Sequence, residues 1–346
     1  MLLKLWFYGY AIGVFTSRKI QTATYENIPF RWLCGGLHPD FRTLSDFRKN
    51  HLHVLPGLFK QIIEIAMTLG YVTLGHVSID GTKIKANASK HKAMSRQRMK
   101  QEIERLEADI HQAMNEAEQA DTKDEMSLSQ APPMTEVTVS DRQIRLAKIK
   151  AALKELEERK PEAESKTAEK DQINFTDSAS RIMDTKTPGV IQGYNPQIAV
   201  DEDHHFIVGI RMSNSSNDQK QFDGVLQYIE EMTGQSPETT SVDAGYFSAE
   251  NIQAAKAHHT DAYIAANREG KAIYLKRKAI VEPAFGEMKE VQGFRQFHLR
   301  GEEKVSGEFL LLALSYNLRK LHSAKYPKKA TIEKRERSAQ KRKKAA

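Results

Sequence analysis

The sequence predicts a mixed α/β protein with a helical N-terminal region and a pair of helices inserted into its α/β part. Three observations support this prediction. Apolar residues recur at helical spacing over residues 1–70, two heptad seams lie within residues 95–170, and short apolar strands alternate with helices over residues 71–322. The chain of 346 residues is long enough for roughly two domains and ends in a basic tail over residues 323–346.

Residues 1–70 are predicted to form several helices. The run Leu2–Phe15 is shorter than the roughly 18 apolar residues that a membrane span needs, so we interpret it as a buried helix. Short helices around Gly35 and Gly36 are compatible with a DNA-binding helix-turn-helix, and equally with helical packing alone. Two further helices are predicted over Thr43–His51 and Leu55–Thr68.

Residues 95–170 are rich in charge and carry two runs of apolar residues spaced three or four apart. Such heptad spacing predicts two helices that fold back on each other as an antiparallel coiled-coil arm. The arm is expected either to serve dimerisation or DNA guiding, or to be a mere spacer, and the sequence favours neither function. The first seam comprises Met99, Ile103, Leu106 and Ile110, and the second Leu146, Ile149, Leu153 and Leu156.

The remaining sequence alternates short strands with helices, which is typical of an α/β core. Strands are predicted over Tyr71–Ile79, Tyr194–Asp201, Phe206–Met212, Thr240–Val242 and Ala262–Ala265. Helices are predicted over Lys220–Met232, Ser248–Ala257, residues 272–290 and Phe309–His322.

The net charge of +7 is concentrated at the C-terminal end of the chain. Residues 325–346 contain ten Lys or Arg and two Glu, a net charge of +8, so the other residues sum to about −1. A tail of this composition suits a polyanionic partner such as DNA; a solubilising end or a localisation signal is the alternative. The single cysteine, Cys34, excludes an internal disulfide and a cysteine-rich zinc site, and it favours a reducing cytoplasm.

Two aspartates follow predicted strands. Asp80 comes directly after one apolar strand and Asp243 directly after another, so neighbouring strands would bring both carboxylates to one edge of the sheet. Clustered acids repel each other unless a counter-charge is present, and Mg²⁺ prefers such hard oxygen ligands. Each aspartate is also compatible with an ordinary turn. The phosphate-binding sequences GxxxxGK[ST] and GxGxxG are absent.

Four segments in this order resemble the bacterial insertion-sequence transposases of the DDE class, which have an RNase H-like catalytic core. The resemblance extends over nearly the whole chain up to about residue 322. It includes residues 174–183 and 293–301. The four segments are SIDGTKIKANAS (78–89), GYNPQIAVD (193–201), VDAGYFS (242–248) and VEPAFGEMK (281–289).

The resemblance implies roles for individual residues. It makes Asp80, Asp243 and Glu282 the catalytic acids, which would hold two Mg²⁺ ions, with Mn²⁺ as a substitute. It makes Lys289 a basic residue that contacts DNA near the cut end. Lys289 follows Glu282 by seven residues, about two helical turns, so the two would share a helix face. Further DNA contacts are expected from Arg277 and Lys278 and from the basic stretch with Lys83 and Lys85.

The chain departs from the family pattern at three points. Relatives carry further helical sequence ahead of the position of Met1, and a longer basic segment before Glu282. Arg277 lies one residue too far from Glu282 for the family's strict spacing, and Lys278 occupies the expected arginine position. Pro283 disfavours helical geometry at the residue before it, so Glu282 is expected at a helix N-cap. The hypothesis that follows is a shortened chain with impaired activity.

The expected function is therefore a DNA transposase that cuts and joins DNA at element ends with metal-bound acids. Its expected partners are double-stranded DNA, as terminal inverted repeats and as target, and further copies of itself, because two element ends must meet. Residues 1–70 would read the repeats. We expect no membrane association and a cytoplasmic, nucleoid-associated location. The alternatives are a nuclease of the same fold and a truncated, catalytically impaired DNA-binding relic.

Overall fold

The computed structural model describes residues 1–124, 135–161, 168–185, 189–264 and 271–327. These residues belong to two compact units. The first comprises Met1–Asn87 together with Ile182–Ala346, and the second comprises Ala88–Arg181. Residues 1–70 are thus part of the same unit as the α/β core. The Pro132-Pro133 loop and the tail from residue 328 lie outside the described residues.

The predicted helices and strands appear in order along the chain, together with several short strands that the sequence did not predict. The helices are α1 (Leu2–Ile12), α2 (Ser17–Glu26), α3 (Ile28–Leu33), α4 (Phe41–Asn50), α5 (Leu55–Thr68), α6 (Arg96–Asp124), α7 (Thr135–Arg159), α8 (Phe222–Thr233), α9 (Ala249–Ala257), α10 (Lys271–Gly286) and α11 (Glu302–Lys325). The strands are β1 (His76–Gly81), β2 (Ile84–Lys85), β3 (Ala93–Ser95), β4 (Gln172–Asn174), β5 (Arg181–Asp184), β6 (Val190–Tyr194), β7 (Gln197–Asp201), β8 (Ile207–Arg211), β9 (Thr239–Val242) and β10 (Asp261–Ile264).

A five-stranded sheet in the order β10-β9-β1-β7-β8 forms the centre of the first unit. β1 pairs in parallel with β9, and β9 in parallel with β10. On the other side, β1 pairs antiparallel with β7, which forms an antiparallel hairpin with β8. This mixed sheet with its helices confirms the mixed α/β class and fits an RNase H-like core.

Two predicted strands differ by several residues from those in the structure. The strand predicted over Tyr71–Ile79 begins only at His76, because the preceding backbone turns at Leu74, whose φ is +57°. The carboxylate of Asp201 stabilises this turn by accepting a hydrogen bond from the Leu74 N–H at 3.0 Å. The strand predicted from Tyr194 is divided at Pro196, which has no N–H to donate to a β-ladder.

The main hydrophobic core lies between the sheet and α8, α9 and the C-terminal part of α5. Val77 and Ile79 of β1 are fully buried in it against Leu226 and Ile229 of α8. Burying such side chains contributes about 1.5–3 kcal/mol each relative to leaving them exposed. Because successive side chains of a strand face opposite ways, this packing places Asp80 on the face of β1 opposite to the core.

Helix α11 is buried in its middle part, in agreement with its strongly apolar sequence. Residues 308–317 are all buried, so this helix has no solvent-facing stripe in its middle. Asn317 within it hydrogen-bonds the backbone of Ile207 twice, at 2.9 Å through Oδ1 and at 2.8 Å through Nδ2. These bonds fix the position of α11 on the sheet.

A buried carboxylate joins α11 to the N-terminal helices. Glu308 is fully buried and accepts hydrogen bonds from the Tyr10 hydroxyl at 2.9 Å and from the Leu299 N–H at 2.8 Å. The Arg48 guanidinium lies 3.8 Å from the same carboxylate and donates to the Tyr10 hydroxyl at 3.0 Å. Burial opposes ionisation, but the hydrogen bond and charge of His298 and the charge of Arg48 lower the pKa of Glu308 below its usual value.

The second unit is dominated by α6 and α7, which run in opposite directions. Arg96 at the start of α6 pairs with Glu157 near the end of α7, and Arg142 donates to the Asp109 carbonyl oxygen. The predicted seam residues form the contact between the helices, with Met99, Leu106, Ile149 and Leu156 buried and Ile103, Leu146 and Leu153 packed against them. The role of this arm stays a prediction.

Within the described ranges, no helix has the length and apolar character that a membrane crossing requires.

Replacing Glu308 by alanine is expected to destabilise the protein by about 3–5 kcal/mol, because Arg48 would be left as an uncompensated buried charge. The measurement is urea unfolding followed by circular dichroism. Glu303→Ala is the matched control on the same helix, where the side chain is exposed, and it should change stability by less than about 1 kcal/mol. Equal losses in the two variants would contradict the importance of the buried cluster.

Candidate active site

Asp80 and Asp243 come together at one edge of the five-stranded sheet. β1 and β9 are parallel neighbours in the register Ser78 opposite Ser241. Asp80 lies two residues beyond this pair in β1, and Asp243 directly follows the last residue of β9. The two strands are therefore neighbours, which was the condition for a shared edge, and both carboxylates lie at C-terminal strand ends.

The parallel register is supported by a chain of polar side chains between the two strands. The Ser78 and Ser241 hydroxyls hydrogen-bond each other at 2.8 Å, and His76 Nε2 hydrogen-bonds the Ser241 hydroxyl at 2.9 Å. The other ring nitrogen of His76 contacts Glu202 at 2.7 Å. These bonds hold the register of β1 against β9, and the register places Asp80 and Asp243 side by side.

Arg277 of α10 pairs with both aspartates. Its Nη1 donates to Asp80 Oδ2 at 2.8 Å, and its Nη2 lies 3.8 Å from Asp243 Oδ2. The Arg277 side chain is only 4% exposed. The sequence predicted Arg277 as a DNA contact; the structure places its guanidinium between the two acids, and the DNA contact stays a prediction.

The two carboxylates differ in their surroundings. Burial raises the pKa of the Asp80 carboxyl above its usual value, since the charge of Arg277 and the hydrogen bond from the Gly81 N–H compensate only partly for lost hydration. Asp243 is more open, with 46% of its side chain exposed, and its Oδ1 accepts from the Ala244 N–H at 2.7 Å. The site thus combines one deep carboxylate with one that faces solvent.

Glu282, the third predicted acid, lies within α10 and has an exposed side chain. It follows Arg277 by five residues, which places it about 140° around the helix from Arg277. Among the described residues, no group of three or more His, Cys, Asp or Glu side chains is arranged to hold a metal ion. The structure therefore brings two of the three predicted acids together, and the role of Glu282 stays a prediction.

The expectation that Glu282 would be an N-cap is wrong. α10 continues through Pro283 to Gly286, so Glu282 is an internal helical residue. Buried residues on both sides of the proline, Val281 and Ala284, hold the helix against the sheet despite the missing N–H.

Lys289 lies in a π-helical segment, Glu287–Val291, that follows α10 directly. Its ammonium group donates a hydrogen bond to the hydroxyl of Thr82, two residues after Asp80. The α-helical spacing used to place Lys289 and Glu282 on one face does not apply beyond Gly286. Glu287 in the same segment faces α11, where it pairs with Arg319 at 3.2 Å and Lys320 at 3.1 Å.

The other predicted basic residues lie at or near the surface of the first unit. Lys278 on α10 and Lys85 on β2 have exposed side chains. Lys83 is partly exposed and donates to the carbonyl oxygen of Asp184 at 2.6 Å. Their contact with DNA stays a prediction.

A polar network beside Gly81 was not assigned from the sequence. Asp218 Oδ1 accepts from Asn195 Nδ2 at 2.6 Å and from Gln197 Nε2 at 2.8 Å, and the Tyr246 hydroxyl donates to Gln197 Oε1. Burial and the neighbouring negative charges, of which Asp218 is the strongest, raise the pKa of Tyr246 well above its usual value. This network packs against Gly81 at the end of β1, on the side of β7.

Part of the signal for this network was present in the sequence. Asn195 and Gln197 belong to the segment GYNPQIAVD, and Tyr246 belongs to VDAGYFS. Asp218 lies in neither, and only the fold brings it to Gln197.

Comparison with known families identifies two matching models. The model of the transposase DDE domain matches residues 163–318, which include Asp243 and Glu282. The model of a transposase domain (DUF772) matches residues 1–50. Asp80 lies between the two matched regions. A search of curated proteins found no match to the chain.

Gly81→Ala is expected to destabilise the protein by about 1–3 kcal/mol, because the new methyl group would overpack a filled site. Its carbon would lie 2.8 Å from Asp218 Oδ1 and closer still to Gln197. The control is Gly286→Ala, where no atom lies within 4 Å of the added carbon and the backbone is α-helical. That change should be neutral or stabilise the chain by about 0.5–1 kcal/mol. Thermal unfolding measures both, and a neutral Gly81→Ala would contradict the tight packing.

Proposed function

Because the chain belongs to the DDE transposases of insertion sequences, a class whose domain implies nucleotidyl transfer, we propose that it cuts and joins DNA at the ends of its own element. Water would attack a phosphodiester at the element end, and the freed 3′-hydroxyl would then attack target DNA. The observation that carries this proposal is the meeting of Asp80 and Asp243 at the ends of parallel neighbouring strands.

Divalent metals are generally used by DDE domains, and the donor chemistry of the Asp80–Asp243 pair fits one. Both groups are hard carboxylate oxygens, which Mg²⁺ prefers and Mn²⁺ also accepts. We propose that these residues hold the metal, with Glu282 as a third ligand of a two-ion site. A divalent cation bound there would supply Lewis-acid stabilisation of the charge that develops at the phosphate.

The protein's own residues would position the DNA. Lys289 donates to the hydroxyl of Thr82 beside the acid pair, and this contact supports the proposal that its ammonium group would bind a phosphate next to the scissile bond. Lys83, Lys85 and Lys278 would contact the backbone farther away. Such contacts release counterions from DNA, so binding should weaken steeply as the salt concentration rises.

Residues 1–70 are proposed to help read the terminal repeats, and two or more copies of the chain to bring the element ends together. The basic tail, which lies outside the described residues from residue 328, would add binding that does not depend on sequence. With DNA as substrate, the proposed location is the bacterial nucleoid.

One observation favours the alternative of an impaired, DNA-binding relic. Among the described residues Glu282 does not come together with Asp80 and Asp243 as a third metal ligand. The two aspartates pair with Arg277. A nuclease that cuts without joining is a further alternative, and the products of the reaction distinguish it.

The test is cleavage of a labelled DNA fragment that carries the element's own ends, in Mg²⁺. Asp80→Asn and Asp243→Asn should each lower the cleavage rate by about a thousandfold, since a catalytic metal supplies several kcal/mol of transition-state stabilisation. The matched control is Asp261→Asn, an exposed aspartate at the opposite end of the neighbouring strand β10, which should cleave normally.

The alternatives give different results in the same assay. Cleavage without strand-transfer products would indicate the nuclease. Binding without cleavage by every variant would indicate the relic. Equal cleavage by the wild-type chain and by Asp80→Asn would refute the acid mechanism.

A further inference from the structure

The buried guanidinium of Arg277 pairs with both aspartates of the candidate site. It contacts Oδ2 of Asp80 at 2.8 Å and approaches Oδ2 of Asp243 to 3.8 Å. Guanidinium is planar, with donors on both outer nitrogens, so one arginine can serve two carboxylates at once. Oδ1 of each aspartate accepts a backbone N–H, from Gly81 and from Ala244, so the guanidinium contacts the other oxygen of each acid.

The surroundings of Arg277 select this arrangement. α10 packs on β1, β7 and β9, and the Arg277 side chain is almost fully buried. Its neighbours Lys276 and Lys278 are exposed, and Lys276 pairs with Glu202 at 3.1 Å, away from the acids. Among the basic side chains of α10 that the structure describes, Arg277 is therefore the one that pairs with these acids.

A positive charge held among two carboxylates has two consequences. It offsets the repulsion between Asp80 and Asp243, which stabilises the site when no metal is present. It also repels a second cation and occupies the oxygens that this cation would need. Dissolved salt screens interactions between buried charges only weakly, so both electrostatic effects persist at ordinary ionic strength.

We propose that Arg277 is the counter-ion of the acid pair in the metal-free chain and competes with divalent cations for it. Metal loading then requires that the guanidinium give up at least its contact with Asp243. The inference rests on the proposed function, because it takes Asp80 and Asp243 as the metal ligands. Arg277 is thereby a positioning residue that sets the metal affinity of the site.

The test is isothermal titration of Mn²⁺ into the full-length wild-type chain and into Arg277→Gln. Removing the competing charge should tighten Mn²⁺ binding by about tenfold or more. A neighbouring charge at this distance changes the proton affinity of a carboxylate by a comparable factor. Lys276→Gln removes the same charge from the adjacent exposed position and should leave the affinity within about twofold. Adding Asp80→Asn and Asp243→Asn to Arg277→Gln should abolish the gain.

A second variant covers the case in which Arg277→Gln does not fold without metal. Arg277→Lys keeps the charge, but its compact ammonium group lacks the fork that spans both carboxylates. Mn²⁺ affinity should then rise above that of the wild-type chain, and unfolding temperature should rise more on adding Mn²⁺ than it does for the wild-type chain. Folding of Arg277→Gln only in the presence of Mn²⁺ would also support the proposal.

Unchanged or weaker Mn²⁺ binding in both arginine variants would overturn the competition. If the wild-type chain still binds Mn²⁺ and loses it with Asp80→Asn, the proposed metal site stands and only the role of Arg277 falls. If no variant binds Mn²⁺ in a way that depends on the two aspartates, the competition and the proposed metal site fall together.

Discussion

The position of β1 between a parallel and an antiparallel neighbour is the constraint on which the site depends. Parallel pairing with β9 brings two C-terminal strand ends to one edge, where Asp80 and Asp243 meet. Antiparallel pairing with β7 places Gln197 opposite Gly81, and its amide is fixed there by Asp218 and Tyr246. A slip of one residue would turn Asp80 into the hydrophobic core, because successive side chains of a strand face opposite ways.

The electrostatics of the site follow from this geometry. Two carboxylates brought together by the sheet need a positive charge, and α10 supplies one through Arg277. The charge does not fully offset the burial of Asp80, whose pKa stays raised. In the structure the counter-charge of the two carboxylates is thus an internal one, and the arginine is as much a part of the candidate site as the acids.

The N-terminal helices are coupled to the segment that carries Lys289. Gln292, which ends the π-helical segment, donates to the Tyr10 carbonyl oxygen at 3.1 Å, and Gly13 packs closely on the Gln292 carbonyl. Tyr10 in turn contacts the buried Glu308 of α11. Residues 1–70 thus share contacts with the segment that follows α10 and with α11, although a separate family model matches residues 1–50.

The sequence by itself determined the helices, five of the ten strands in the described residues and the position of Asp80 and Asp243 at the ends of strands, because each depends on local periodicity and local turn chemistry. α5 has the predicted bounds, and β9 ends at the predicted residue. The tertiary structure alone decided the partner of Arg277, the internal position of Glu282 in α10 and the contact of Asp218 with Gln197. These relations join residues far apart in the chain, and their energies depend on burial and on distances between charges, which no local pattern encodes.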